Sequence, residues 1–452
     1  MARKVFISVL GASFYEKSRY GKSETGFVSN ETRFVQQATL EYLKANEWNE
    51  NDIAYILITD KAKTDNWDKT VTKRRHYIRG EEDYVGLEKV IEDMHLPFPT
   101  IPVPIQDGNN EDEMWSIFQE LYKNLKDGDL LYFDLTHSFR YIPMLVLVLG
   151  NYAKFLKHTK VCSITYGNYE VGRLREDRIS PIIDLLPLTM LQDWTFAAAD
   201  LIRNGNIQRL QELTKEQALP PMLRARGKRN IDRLAVEQPL SRYVEALQNM
   251  LTDMKLCLGP NILNGQSVNA INDQYENVVN HYSDIVAPVR PIIDTIQDTF
   301  NSFKRTTEFD PVEIQNGCEA AKWCYDHQLY QQAITILDEN ITTDFCQRLG
   351  TDERIYEQRK ASNALLRWGC YREKDWEDDK LHDIREKVQV AASSPAVQDF
   401  IKLMRWDVVW FHNDCRNKYN HASMIQGEEG MLTPADIEEL GRKIKKIINY
   451  YR

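Results

Sequence analysis

The sequence predicts an α/β unit with Rossmann-like topology followed by an all-α unit. Three observations predict it. The chain has 452 residues, more than one ordinary core accommodates. Residues 1–185 alternate strand and helix signals, as a parallel sheet covered on both faces requires. Residues 186–452 carry helical periodicity broken by Gly and Pro, with no strand pattern of comparable strength.

The elements of the first unit follow in order. Residues 4–10 form an apolar, β-rich run ending at Gly11. Residues 31–44 have helical spacing, and residues 53–59 form a continuous apolar run, the mark of a strand buried on both faces. Residues 84–94 read as helix. Residues 100–105 read as a short strand whose Pro102 and Pro104 place it near an edge. Residues 111–125 form an amphipathic helix closed by Lys126, Asp127, Gly128 and Asp129. A strand at 130–135, a helix at 139–157 and a strand at 160–166 complete the alternation. Residues 181–187 read as a proline-punctuated linker. The first strand is not followed by Gly-x-Gly-x-x-Gly, so a conventional dinucleotide site is not expected.

Composition excludes several classes. Net charge is -10, which does not mark a general nucleic-acid binder and confines any RNA contact to a local cleft. The seven cysteines contain no Cys-x-x-Cys pair and suit reduced thiols used for packing. Mean hydropathy is -0.51. The most apolar stretch, residues 143–156, holds Asn151 and Lys154 and is shorter than the ~20 residues of a membrane span. A cytoplasmic protein is expected.

Two strand ends are candidate ligand loops. The first is Leu10-Gly11-Ala12-Ser13-Phe14-Tyr15. The second is Asp134-Leu135-Thr136-His137-Ser138-Phe139-Arg140-Tyr141, leading to Pro143. In the second, a buried strand delivers acid, hydroxyl and imidazole groups and then opens a helix. The free N–H groups of that helix start suit an anion, and Arg140 adds a guanidinium for phosphate or base. Helix capping by Ser138 accounts equally for its position.

The second loop, Asp134 to Pro143, resembles the signature loop of CARF domains, the CRISPR-associated Rossmann fold. Leu10-Gly11-Ala12-Ser13 after the first strand and Tyr166-Gly167 after the last parallel strand complete the resemblance, which covers residues 1–185. It implies a homodimer that binds a cyclic oligoadenylate across its two-fold axis, without metal. The activator-binding residues it implies are Gly11, Ala12, Ser13, Phe14, Thr136, His137, Ser138, Arg140, Tyr166 and Gly167. Cyclic tetra-adenylate is the expected activator and cyclic hexa-adenylate the alternative ring.

Near the end lies Phe411-His412-Asn413-Asp414-Cys415-Arg416-Asn417-Lys418-Tyr419-Asn420-His421. RNA can be cut through its own 2′-OH without metal, given a group that moves protons and a cation for the developing phosphorane charge. Arg416 and His421, with Asn417 directly after the Arg, resemble the Arg-x4–6-His pattern of HEPN ribonucleases. The resemblance implies a catalytic set of Arg416, Asn417 and His421 in a helical effector domain, with the motif near 405–425, acting on single-stranded RNA. Arg405 and His412 also fit that spacing, but Arg405 lies among Trp406, Val408, Val409 and Trp410, a packing face. His412, Asn413 and Lys418 are further candidates for RNA contact. On an ideal helix five positions separate Arg416 and His421 by about 140°, so the helix ends early or the site is composite across a dimer.

Two alternatives stay open. One is a ligand-sensing regulator without nuclease activity, for which the basic stretch at residues 222–233 is relevant. The other is a front domain that also degrades its activator, with Thr136, His137 and Ser138 positioning a ribose 2′-OH.

Overall fold

The computed structural model describes residues 2–68, 72–76, 80–137, 141–215, 233–281, 289–307, 313–416 and 433–451. The chain divides into two compact units, Met1–Met190 and Leu191–Arg452.

The first unit is built on an eight-stranded sheet. Its strands are β1 (Lys4–Leu10), β2 (Arg19–Lys22), β3 (Phe27–Val28), β4 (Ile53–Ile58), β7 (Thr100–Pro104), β8 (Leu130–Asp134), β9 (Lys160–Gly167) and β10 (Ile179–Asp184). A separate hairpin joins β5 (Thr72–His76) and β6 (Gly80–Tyr84). The sheet order is β3-β2-β10-β9-β8-β1-β4-β7. Strands β7, β4, β1, β8 and β9 are mutually parallel. Taken by themselves in chain order, these five stand 3-2-1-4-5, so the order reverses between β1 and β8.

Strand periodicity explains the two-sided burial. Val5, Ile7 and Val9 of β1 enter one apolar cluster with Ile117, Leu121, Val146 and Leu149. Phe6 and Leu10 enter another with Phe34, Leu40, Leu87 and Ile91. Every residue of β4 is buried, as its unbroken apolar run requires. Each such side chain contributes about 2 kcal/mol of hydrophobic stabilisation. The helix Glu111–Asn124 starts at Asn110, whose side chain accepts from the Glu113 N–H at 2.9 Å. The Glu113 carboxylate reaches back to the Gly108 and Asn109 N–H groups at 2.9 Å each, a reciprocal cap.

The sheet departs from the sequence reading in three places. Residues 181–187 are not a linker: β10 runs antiparallel to β9 with Ile182 opposite Gly167, and the helix Leu186–Asn204 begins at once. Ile179, Ile182 and Ile183 supply the strand pattern that the prolines obscured. Strands β2 and β3 extend the same edge, so the sheet is mixed rather than wholly parallel. The region expected as helix from residue 84 starts at Leu87, because Tyr84 closes β6.

The described part of the second unit is helical. Its single core gathers Trp194, Leu247, Met250, Leu337, Phe345, Leu365, Phe400, Met404 and Ile447, among others. The helix Tyr330–Leu349 is buried on nearly every side, Asp338 and Asn340 included. It packs against Ile314–Asp326, Tyr356–Trp368, Pro395–Val409 and a π-helical turn at Trp410–Arg416. No described helix is long and apolar enough to cross a membrane.

Candidate functional site

The ends of β1 and β8 are neighbours at the point where the strand order reverses, the usual ligand crevice of such sheets. A buried carboxylate ties them together. Asp134 accepts from the Ser8 hydroxyl of β1 at 2.7 Å and from the Thr136 hydroxyl at 2.6 Å. The Thr136 hydroxyl in turn accepts from the Gly167 N–H at 2.8 Å, so the β8 loop is fixed to the end of β9. Burial pushes the Asp134 carboxyl above the usual range, opposed by these hydrogen bonds.

The β1 loop is fixed from a distance. The Asn66 amide donates to the Gly11 carbonyl at 2.6 Å and to the Ser13 carbonyl at 2.8 Å, while its own oxygen accepts from the Tyr84 hydroxyl at 2.7 Å. Tyr15 lies stacked on His137, with ring centroids 4.1 Å apart. A Cβ at Gly11 would fall 2.5 Å from the Tyr15 hydroxyl oxygen, so the close approach needs glycine. Burial lowers the His137 imidazole to about 4, and its Nε2 has no hydrogen-bond partner among the described residues. The ring is therefore neutral at pH 7, held by stacking rather than by charge. Burial also pushes the Tyr15 hydroxyl well above its ordinary value.

Of the residues expected to bind an activator, Gly11, Thr136, His137 and Gly167 come together through these contacts. Ser13 exposes its side chain, Ala12 is half-buried beside it, and Tyr166 is half-buried at the end of β9. Phe14 turns toward Tyr84, with ring centroids 5.4 Å apart, and the Arg33 guanidinium lies over both rings. Ser138 and Arg140 lie outside the described residues. Sequence reasoning missed Ser8, Asn66 and Tyr84. Tyr15 closes the first candidate loop, although its stacking on His137 was not foreseen; no local signal marks Asn66, which lies 55 residues beyond Gly11.

The chain also resembles known proteins in sequence. Residues 5–170 match the family described as CRISPR system endoribonuclease Csx1, CARF domain. The chain is also 23% identical over 357 residues to CRISPR-associated protein MJ1674 of Methanocaldococcus jannaschii. That alignment takes in 73% of this chain and 49% of the relative, so the chain spans about half the length of the curated relative it matches. Residues 5–170 are thus similar to a CARF domain, and most of the chain is similar to a CRISPR-associated protein.

A second constellation lies wholly within the helical unit. The Arg416 guanidinium sits 3.2 Å from Asp338 Oδ2 and 2.6 Å from Glu339 Oε1. His412, four residues earlier on the π-helical turn, brings Nδ1 to 4.0 Å from the same Asp338 oxygen. Its Nδ1 has no hydrogen-bond partner among the described residues. Glu339 is also held by Arg359, whose Nε and NH2 reach Oε2 at 3.0 and 2.5 Å. Arg367 donates to the Asn413 side chain at 3.3 Å.

Electrostatics separate these groups. Burial, helped by the neighbouring Glu339 charge, lifts the Asp338 carboxyl to about 6, against the pull of Arg416. Burial penalises the Glu339 charge, but Arg359 and Arg416 outweigh it and hold this carboxyl below its ordinary value. Burial, with the Arg367 and Arg416 charges, lowers the His412 imidazole, which favours its neutral form. For Arg416 burial works against the charge, but Glu339 and Asp338 prevail and raise its pKa. The arrangement provides a fixed cation beside a neutral imidazole and a carboxyl raised to about 6, groups suited to charge stabilisation and proton movement.

Of the expected nuclease residues, Arg416 is in this cluster, and His412 and Asn413 lie beside it. Asn417, Lys418 and His421 lie outside the described residues, as does most of the basic stretch at 222–233. Arg405 is used elsewhere: its Nε donates to the Arg367 carbonyl at 2.9 Å, and its guanidinium packs on Gly369 and the Trp406 ring. Asp338, Glu339, Arg359 and Arg367 were missed, since acids and arginines on generic helices carry no pattern of their own.

Proposed function

We propose that the chain is a cyclic-oligoadenylate-activated, metal-independent endoribonuclease that cleaves single-stranded RNA in type III CRISPR antiviral defence. The observation that carries the reading is the pairing of a CARF-matching sheet, with linked loops at its switch point, with an Arg416 cluster in a helical unit. In this reading the helical unit is a HEPN nuclease. A cyclic oligoadenylate, cyclic tetra-adenylate first and cyclic hexa-adenylate as the other ring, binds at Gly11, Ala12, Ser13, Phe14, Thr136, His137, Ser138, Arg140, Tyr166 and Gly167.

The proposed assembly is a homodimer. Its support is an exposed apolar stripe on the helix Ile142–Lys157, which opens directly after the β8 loop. Met144, Val148, Tyr152 and Phe155 recur there at helical spacing and are 45–81% exposed. A second copy on this face would bring two β8 loops to one ligand.

Arg416 and His421 are the proposed catalytic pair, with Asn417 beside them. Arg416 would stabilise charge on the phosphorane as the RNA 2′-OH attacks the adjacent phosphorus. The products are a 2′,3′-cyclic phosphate and a 5′-hydroxyl. Activator binding would work by favouring the cutting-competent arrangement of the helical unit.

A second reading, a sensor without catalysis, is favoured by one observation: Arg416 already has two carboxylate partners, as a structural arginine would. Cleavage of a fluorogenic single-stranded RNA in EDTA, with and without cyclic tetra- and hexa-adenylate, separates the two. Activator-dependent cutting supports the nuclease. Tight binding of the ring with no cutting supports the sensor.

A further inference from the structure

Beside Arg416 the helical unit holds an open cavity of about 540 Å³, inside the range of small-ligand sites. Its walls are apolar: Pro260, Ile262 and Leu263 come from one short helix and Ile336 from the buried helix Tyr330–Leu349. Polar groups gather at the edges. Asn264 and Thr335 supply amide and hydroxyl groups, and Arg354, Arg359 and Arg416 line the same cavity. Arg359 is taken up by Glu339 and by the Thr343 hydroxyl at 3.0 Å. Exposed Arg354 forms no ion pair among the described residues, which leaves its charge for a ligand.

The floor carries an unmet acceptor. Asn340 is 3% exposed and its amide donates to the Ile314 carbonyl at 2.9 Å, yet its Oδ1 has no hydrogen-bond partner among the described residues. A Cβ at Gly317 would fall 2.3 Å from that oxygen, so glycine is what lets the amide sit there. Apolar walls with amide and hydroxyl groups at the rim suit a flat heterocycle bearing N–H donors and acceptors on its edge. The exposed Arg354 guanidinium beside it suits a phosphate.

We infer that this cavity is the pocket for the nucleoside unit next to the scissile phosphate of the RNA, with Arg354 on the following phosphate. The inference rests on the reading of Arg416 as part of an RNA-cutting site. The base enters between Pro260 and Ile336, and Arg416 meets the phosphate at the inner end. Cutting would then depend on this pocket as well as on the catalytic groups.

Steady-state cleavage of a short single-stranded RNA in saturating cyclic tetra-adenylate tests it, with the full chain and two variants. Thr335→Trp fills the cavity; Arg354→Ala removes an exposed charge with little risk to the fold. Each is expected to lower kcat/KM by about tenfold, equivalent to one well-placed contact, with thermal unfolding and activator affinity unchanged. Arg354→Ala decides alone if Thr335→Trp does not fold. Wild-type kcat/KM, within about twofold, in the folded variants overturns the pocket while leaving the nuclease standing. An inactive wild-type chain instead overturns the nuclease reading on which the pocket depends.

Discussion

Arg416 and Asp338 form an ion pair across 3.2 Å, 78 residues apart in sequence, with the carboxylate almost completely buried. The pair joins the π-helical turn Trp410–Arg416 to the central helix of its unit. It also explains why Arg416 keeps a fixed position without a ligand. A long side chain on a surface would lose rotamer freedom on meeting a phosphate, whereas this one is already ordered.

The first prediction concerns pH and stability. Asp338 holds its proton up to about pH 6 in the fold, whereas a free Asp loses it near 3.9. As pH rises the unfolded chain therefore gives up this proton first. Between about pH 4 and 7 the group makes the fold progressively less stable, by up to roughly 3 kcal/mol. Asp338→Asn lacks the titration. Urea unfolding should show the variant gaining on the wild type as pH rises through that window. A difference that stays constant with pH would remove Asp338 as the titrating group.

Cleavage should fail without the proposed pair. Arg416→Ala and His421→Ala are each expected to reduce activator-dependent RNA cleavage by about a hundredfold or more. Binding of cyclic tetra-adenylate, measured by calorimetry, should be unchanged. A His421→Ala variant that still cuts would transfer the proton-moving role to His412, which stands beside the same buried carboxylate.

Thr136 should matter for the fold as well as for the site. Its hydroxyl donates to Asp134 and accepts from the Gly167 N–H. Thr136→Val keeps the shape, removes both bonds and strips the buried Asp134 of one donor. The expected loss is about 1–3 kcal/mol, read as a lower denaturant midpoint with an unchanged slope. A midpoint equal to wild type would mean that the loop does not depend on this bridge.

The parts legible in the sequence were those written locally. Alternating apolar runs marked β1, β4, β8 and β9, and Pro102 with Pro104 marked β7 as an edge, where it lies. Residues 181–187 misled because Pro181 interrupts β10 and Pro187 follows it, whereas the strand character of β10 rests on three isoleucines and on its pairing with β9. In the loops, Gly11 and His137 were legible, but their support was not. Asn66 and Tyr84 act through contacts spanning 55 and 18 residues, which no periodicity reports. The partners of Arg416 were hidden for the same reason. Asp338 and Glu339 look like ordinary helical acids until packing buries them.

The last prediction separates stacking from charge at the sensor loop. Two ways exist for His137 to hold an adenylate ring: as a cation on phosphate, or as a neutral surface for a base. The fold favours the second. Burial lowers the imidazole to about 4, and Tyr15 covers one face of it at 4.1 Å. Protonation is therefore disfavoured in the folded chain until pH falls well below the ordinary value of about 6.5. The affinity for cyclic tetra-adenylate should stay flat from about pH 5.5 to 8 as far as this residue is concerned. His137→Phe, which keeps an aromatic face, should bind within about threefold of wild type, and His137→Ala should lose about tenfold, the scale of one stacked base. The measurement is calorimetric affinity against pH for the three proteins. A wild-type affinity that rises as pH falls through 6.5, and that both variants abolish, would show a charged imidazole on phosphate and reverse the assignment.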